Sequence, residues 1–113
     1  MHEMSLAEGI VQIIEQQAQS QQFQRVKEVQ LSVGELAGVE IEALRFGFDA
    51  VTRHTLAEGS RLVIDTTPGL AYCFDCAKQV PLSRRGNPCP LCEGHSLQVV
   101  DGTQMRVSSL EVE

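Results

Sequence analysis

Two C-x-x-C pairs, Cys73-Phe74-Asp75-Cys76 and Cys89-Pro90-Leu91-Cys92, stand twelve residues apart and contain all four cysteines of the 113-residue chain. Thiolates separated by two residues on a tight turn can both direct sulfur at one ion, and two such turns complete the tetrahedron preferred by a structural Zn²⁺. Whatever surrounds it, the stretch from residue 70 to about 98 must bring four sulfurs to one point. Disulfides and dithiol redox chemistry are the competing readings. No cationic stretch leads into an apolar segment at the start, Met1-His2-Glu3 being acidic, so no secretory signal is expected and the address is cytoplasmic. In reducing cytosol paired cysteines serve metal more often than bridges. A thioredoxin-like redox site presents one C-x-x-C at a strand-to-helix junction, whereas two matched pairs around a short loop suit metal.

At this length the chain has room for one main core and a small appendage. No apolar run approaches the roughly 20 residues that span a bilayer, so no membrane anchor is expected. The formal net charge is −6, and four thiolates around one Zn²⁺ make it more negative still, which opposes non-specific binding to nucleic acid. No repeat of 20 to 50 residues is present.

Hydrophobic periodicity places the elements. Ser5 precedes Glu8 at capping-box spacing, and Leu6, Ile10, Ile13, Ile14 and Ala18 then recur at helical spacing, predicting a first helix over residues 5–20 with those side chains buried. Val29, Leu31 and Val33 alternate with polar residues, predicting a strand over 25–34. Ile41, Leu44, Phe48 and Val51 line one side of a second helix over 40–52. The run from Arg61 to Thr67, stopped by Pro68-Gly69, predicts a second strand, and the alternation after Gln104 a third, with Met105 and Val107 on one face and Leu110 and Val112 on the other. The fold class that follows is α+β: two helices packed on a small three-stranded sheet, with a four-cysteine zinc-ribbon-like module inserted between the last two strands. The expected organisation is an α+β domain of residues 1–69 plus 104–113 and a zinc-binding domain of residues 70–103.

The N-terminus offers a second metal site. Histidine at position 2 is too large for ordinary removal of the initiator methionine, so the α-amine is expected to stay on Met1, one peptide bond from the His2 imidazole. That amine has an ordinary pKa of about 7.7–8.0 and loses its proton readily to a divalent metal. Amine, ionised backbone amide and imidazole can share one plane, the arrangement favoured by Ni²⁺ or Cu²⁺. The competing reading is an exposed histidine with no task.

The opening Met1-His2-Glu3-Met4-Ser5-Leu6, the segments Val33-Gly34-Glu35-Leu36, Val39-Glu40 and Leu44-Arg45-Phe46, the paired C-x-x-C motifs, and the ending from Ser108 to Glu113 together resemble the HypA/HybF family of hydrogenase nickel-insertion proteins, in detail its HybF-type branch. The resemblance implies a nickel metallochaperone and not an enzyme. Such a protein would pass Ni²⁺, with a HypB-type GTPase partner, into the large-subunit precursor of a [NiFe]-hydrogenase. By position it implies His2 and the Met1 amine as nickel ligands, completed by the backbone of His2 and Glu3. It also marks Glu3 for nickel handling and GTPase contact, and Glu40 as an acid near the same metal. Glu40 reads equally well as an exposed acid favoured at a helix start. One departure from the family is that Glu93 follows Cys92 and the glycine comes next, at Gly94, which leaves open a different closure of the second turn. His95 could exchange with a thiolate or bond a sulfur, or be an exposed loop residue; His54 is assigned nothing. A homodimer exchanging the first helix or last strand is compatible with the sequence.

The alternative is a zinc-ribbon module for nucleic acid or protein. Its support is Arg84-Arg85 between the cysteine pairs, with Lys78, against an acidic chain poor in aromatics. Those arginines suit an acidic protein partner or simple solvation better. Hydrolytic zinc chemistry is disfavoured further, because four thiolates saturate the zinc and leave no open position for water.

Overall fold

The structure, a computed structural model, describes residues 2–113; Met1 and the side chain of His2 lie outside the described residues. Along the chain run α1 (His2–Gln21), β1 (Val26–Gly34), α2 (Ile41–Val51), β2 (Arg61–Thr67), β3 (Leu70–Cys73), β4 (Lys78–Pro81), β5 (Leu97–Asp101) and β6 (Met105–Val112). One three-stranded sheet has the order β2-β1-β6 and another the order β4-β3-β5. Two compact units result, one of residues 2–31, Val39–Ile64 and Val107–Glu113, the other of Ser32–Gly38 and Asp65–Arg106. No helix among the described residues is long and apolar enough to cross a membrane.

In the first unit α1 packs against α2, and the buried side chains are Ala7, Ile10, Val11 and Ile14 of α1, Val26, Val29 and Leu31 of β1, and Leu44 and Phe48 of α2. The period-two burial of Val29 and Leu31 and the helical spacing of Leu44 and Phe48 follow the sequence pattern. Backbone bonds from Gln24 N–H to Glu113 O and from Glu113 N–H to Arg25 O seat the chain's last residue beside the start of β1. The end of α2 is closed by Thr52, whose N–H and Oγ1–H both donate to Phe48 O.

Two expectations for α1 are corrected. The helix starts at His2 and not at the Ser5–Glu8 box, because tertiary contacts hold its first turn. Gly47 of α2 is buried, and a Cβ built there would lie 3.1 Å from Met4 Sδ, 3.7 Å from Ala7 Cβ and 3.8 Å from Glu3 O. The missing side chain is what lets α1 approach so closely, and it outweighs the roughly 0.5–1 kcal/mol that glycine costs within a helix. The buried stripe is also rotated. Ile13 is 43% exposed and Val11 is buried instead. Ile13 lines a cavity of about 330 Å³ with Phe23, Val107, Leu110 and Val112. On β6 Met105, Val107 and Leu110 are half-buried, while Val112 is 40% exposed.

The second unit contains three strands that the periodicity did not show. Antiparallel pairing runs from Leu70↔Pro81 to Cys73↔Lys78 and from Leu70↔Asp101 to Cys73↔Leu97, with a register shift between Leu70 and Ala71 on the β5 side. Strands of four or five residues give too few alternations to read. Pro81 is tolerated because β4 is an edge strand. The core of this unit is Leu36, Ala71, Cys73, Val80, Leu82 and Cys89, with Cys76, Leu97 and Val99 packed against it.

Candidate metal centre

Both cysteine turns are pinned by backbone bonds. Cys73 closes β3, and the Phe74 N–H donates to Ser96 O at 2.9 Å. In the second turn Glu93 N–H donates to Cys89 O and Cys89 N–H to Gly94 O, both at 2.8 Å, and Leu91 N–H points at Cys89 Sγ at 3.4 Å. The residue after each pair is left-handed, Ala77 with φ 55° and Glu93 with φ 62°. The second turn thus takes the same left-handed step as the first, with Glu93 in the conformation that a glycine adopts more cheaply.

The outcome is one cluster. Cys73 Sγ lies 3.7 Å from Cys92 Sγ, Cys76 Sγ lies 4.0 Å from Cys89 Sγ, and all four sulfurs fall within 4.8 Å of one another. Four sulfurs about 2.3 Å from one tetrahedral Zn²⁺ are about 3.8 Å apart, so the donor set fits zinc with shifts of no more than about 1 Å in any sulfur–sulfur distance. Cys73 and Cys89 are buried, Cys76 half-buried and Cys92 exposed, so the cluster lies at the edge of the core with the Cys92 residue on the solvent side.

Thiol acidities reflect this crowding. Backbone N–H groups of Cys92 and then Leu91, directed at its sulfur, hold Cys89 down at about 7. Cys76 is pushed up to about 12, first by sharing a hydrogen bond with Cys92 and next by desolvation. Cys92 is raised on balance: the Gly94 N–H lowers it, while Cys73 and burial raise it. The site therefore offers Cys89 as a ready thiolate, and the metal must displace protons from Cys76 and Cys92.

His95 is exposed and lies outside the sulfur cluster, and His54 is an exposed residue with φ 65° beyond α2. Of the residues singled out at the N-terminus, Met1 and the His2 side chain lie outside the described residues. Glu3 is described: its Oε2 accepts the Glu40 N–H at 3.2 Å. Glu40 is the N-cap residue of α2, with φ −82° and ψ 106°, and its own side chain makes no cap bond. A carboxylate thus meets the positive end of α2 from 37 positions away. This link had no local sequence signal, because it depends on the close packing of α1 on α2.

A family model described as hydrogenase/urease nickel incorporation, metallochaperone, HypA, matches residues 1–112. The chain is 53% identical over 113 residues to a hydrogenase maturation factor HypA of Alkalilimnicola ehrlichii and 55% identical over 113 residues to one of Azotobacter chroococcum, covering 100% of both chains in each case. In fold it is similar to the solution structure of the Ni metallochaperone HypA from Helicobacter pylori, with a TM-score of 0.69 at 20% identity, covering 97% of this chain and 96% of that one. A second solution structure, of a HypA protein, gives a TM-score of 0.70 at 21% identity and covers 100% and 97%.

Proposed function

We infer, from the membership of this chain in the HypA family of hydrogenase nickel-incorporation metallochaperones, that it holds Ni²⁺ at its N-terminus and passes it on during hydrogenase maturation, while the four cysteines hold a structural Zn²⁺. The observation that carries this reading is the family match, which runs through the opening residues as well as the cysteine module. Residues 1–69 with 104–113 serve nickel, and residues 70–103 serve zinc.

The nickel donors are the Met1 amine, the His2 imidazole and the backbone amides of His2 and Glu3. The start of α1 suits this use. The amides of a helix's first turn have no intrahelical acceptor, so ionising those of His2 and Glu3, at the start of α1, costs no helical hydrogen bond. Glu3, whose carboxylate accepts the Glu40 N–H, ties that first turn to the start of α2, and in this reading Glu40 is a second carboxylate that serves the metal. A terminal amine, amides and one imidazole make a set that protonation dismantles. Nickel is held above the amine and imidazole pKa range and weakened below about pH 6.5, which makes handover possible. The bound zinc supplies no open position for chemistry; it fixes the two cysteine turns.

In this reading the protein works by binding and release, not catalysis. Its partners are the hydrogenase maturation machinery, specifically a HypB-type GTPase and the [NiFe]-hydrogenase large-subunit precursor, in the cytoplasm. The test blocks the α-amine by acetylation of the intact zinc-loaded chain and titrates it with Ni²⁺, following the visible absorption of the nickel. The expected outcome is at least a tenfold weaker site; unaltered spectrum and affinity would remove the amine from the donor set.

A further inference from the structure

The loop joining the two cysteine turns carries two adjacent arginines in an otherwise acidic chain. Between Val80 and Glu93 stand Arg84 and Arg85 and no acidic residue, in a protein of formal net charge −6. Both arginines are exposed, and neither guanidinium has an ion-pair or hydrogen-bond partner among the described residues. Arg61, by contrast, is paired with Glu28 at 2.7 Å, and Arg45 donates to Leu62 O at 2.8 Å.

The backbone fixes where these two charges sit. Asn87 N–H donates to Arg84 O at 3.2 Å, closing a four-residue turn, and Gly86 supplies the positive φ of 89° that the third position of a type II turn requires. Leu82 anchors the segment just before the turn, being buried and donating its N–H to Gly69 O at 2.9 Å. Beside the turn lies a cleft of about 370 Å³ lined by Arg84, Arg85, Ser83, Glu35, Leu36 and Gly38. Glu35 also lines the cleft, its Oε1 held by the Gly69 N–H at 2.8 Å, and its single carboxylate leaves the two arginines in excess there.

We propose that the Arg84–Arg85 turn and its cleft are a docking site for an extended acidic segment of a protein partner. Guanidinium forks match carboxylates in plane and number of donors, which is why paired arginines read acidic side chains well. The Ser83 hydroxyl and Glu35 offer one donor and one acceptor for the backbone of an extended segment, and the uncharged Leu36 and Gly38 form the rest of the wall. Nucleic acid is the disfavoured occupant: its affinity comes from many phosphate contacts along a backbone, for which two arginines in one cleft are too few, and the cleft has no aromatic ring on which a base could stack. The site does not depend on nickel.

The test is an amide-resolved NMR titration of the zinc-loaded full chain with a capped five-residue peptide of Glu, Asp and one central Leu. The controls are the Gln/Asn counterpart of that peptide, a short DNA duplex and inorganic phosphate. Shifts should centre on residues 83–87 and 35–38, weaken with salt, and be absent with the uncharged peptide. The R84Q/R85Q double variant should retain its amide spectrum elsewhere and bind the acidic peptide about tenfold more weakly, as expected for two exposed ion pairs. The proposal is overturned if the peptide moves no amide in those two segments, if the double variant binds as the parent does, or if DNA or phosphate moves the same amides at lower concentration than the peptide.

Discussion

At residue scale the cysteine turns show how much conformation a spacing rule conceals. Glu93 follows the second pair in the left-handed region, at φ 62°, and its counterpart Ala77 does the same at φ 55°. A non-glycine residue there costs about 1–2 kcal/mol, so Glu93→Gly should stabilise the zinc-loaded protein by up to about 1 kcal/mol after the added chain entropy of glycine is counted. Urea unfolding checks this. The thiol acidities give a signed pH dependence. Cys76 keeps its proton up to about pH 12 in the metal-free site, so zinc displaces it throughout the working range. Cys89, near 7, adds a second displaced proton mainly below neutrality. Apparent zinc affinity should rise with pH, more steeply below pH 7 than above it, as read by competition with a chromophoric chelator. The identity of the sulfur ligands was legible because C-x-x-C is a local pattern. Their unequal acidities were not, because backbone N–H groups and sulfur–sulfur proximity set them.

At the scale of elements, the strand β1 and the helix α2 were readable from alternation and helical spacing, since each buries one face. The start of α1 was not. The Ser5–Glu8 box is a valid local signal, but Met4 and Glu3 pack and bond against α2, and that contact extends the helix to His2. Gly47 is the position on which this depends. Gly47→Val should lower stability by about 1–3 kcal/mol through crowding of Met4 and Ala7, and Met4→Ala in the same chain should recover part of the loss, a coupling that chemical denaturation of the double-mutant cycle measures. The strands β3, β4 and β5 were hidden for a different reason. Four- and five-residue strands whose apolar residues share a core with the cysteines carry almost no period.

At the scale of the whole molecule, the two compact units are each made from separated stretches of chain. In the second, the cysteines are part of the core, with Cys73 and Cys89 fully buried. Stripping zinc with a chelator should therefore disorder that unit, seen as loss of amide dispersion for residues 70–101, with re-addition of Zn²⁺ restoring it. The central claim is the division of metals between the sulfur cluster and the N-terminus. Metal analysis of the parent and the His2→Ala variant, each purified, exposed to Ni²⁺ and desalted, tests it most directly. The account predicts one zinc and one exchangeable nickel per chain in the parent, and one zinc without nickel in the variant. Retention of nickel by His2→Ala, or loss of zinc in step with nickel uptake, would contradict it.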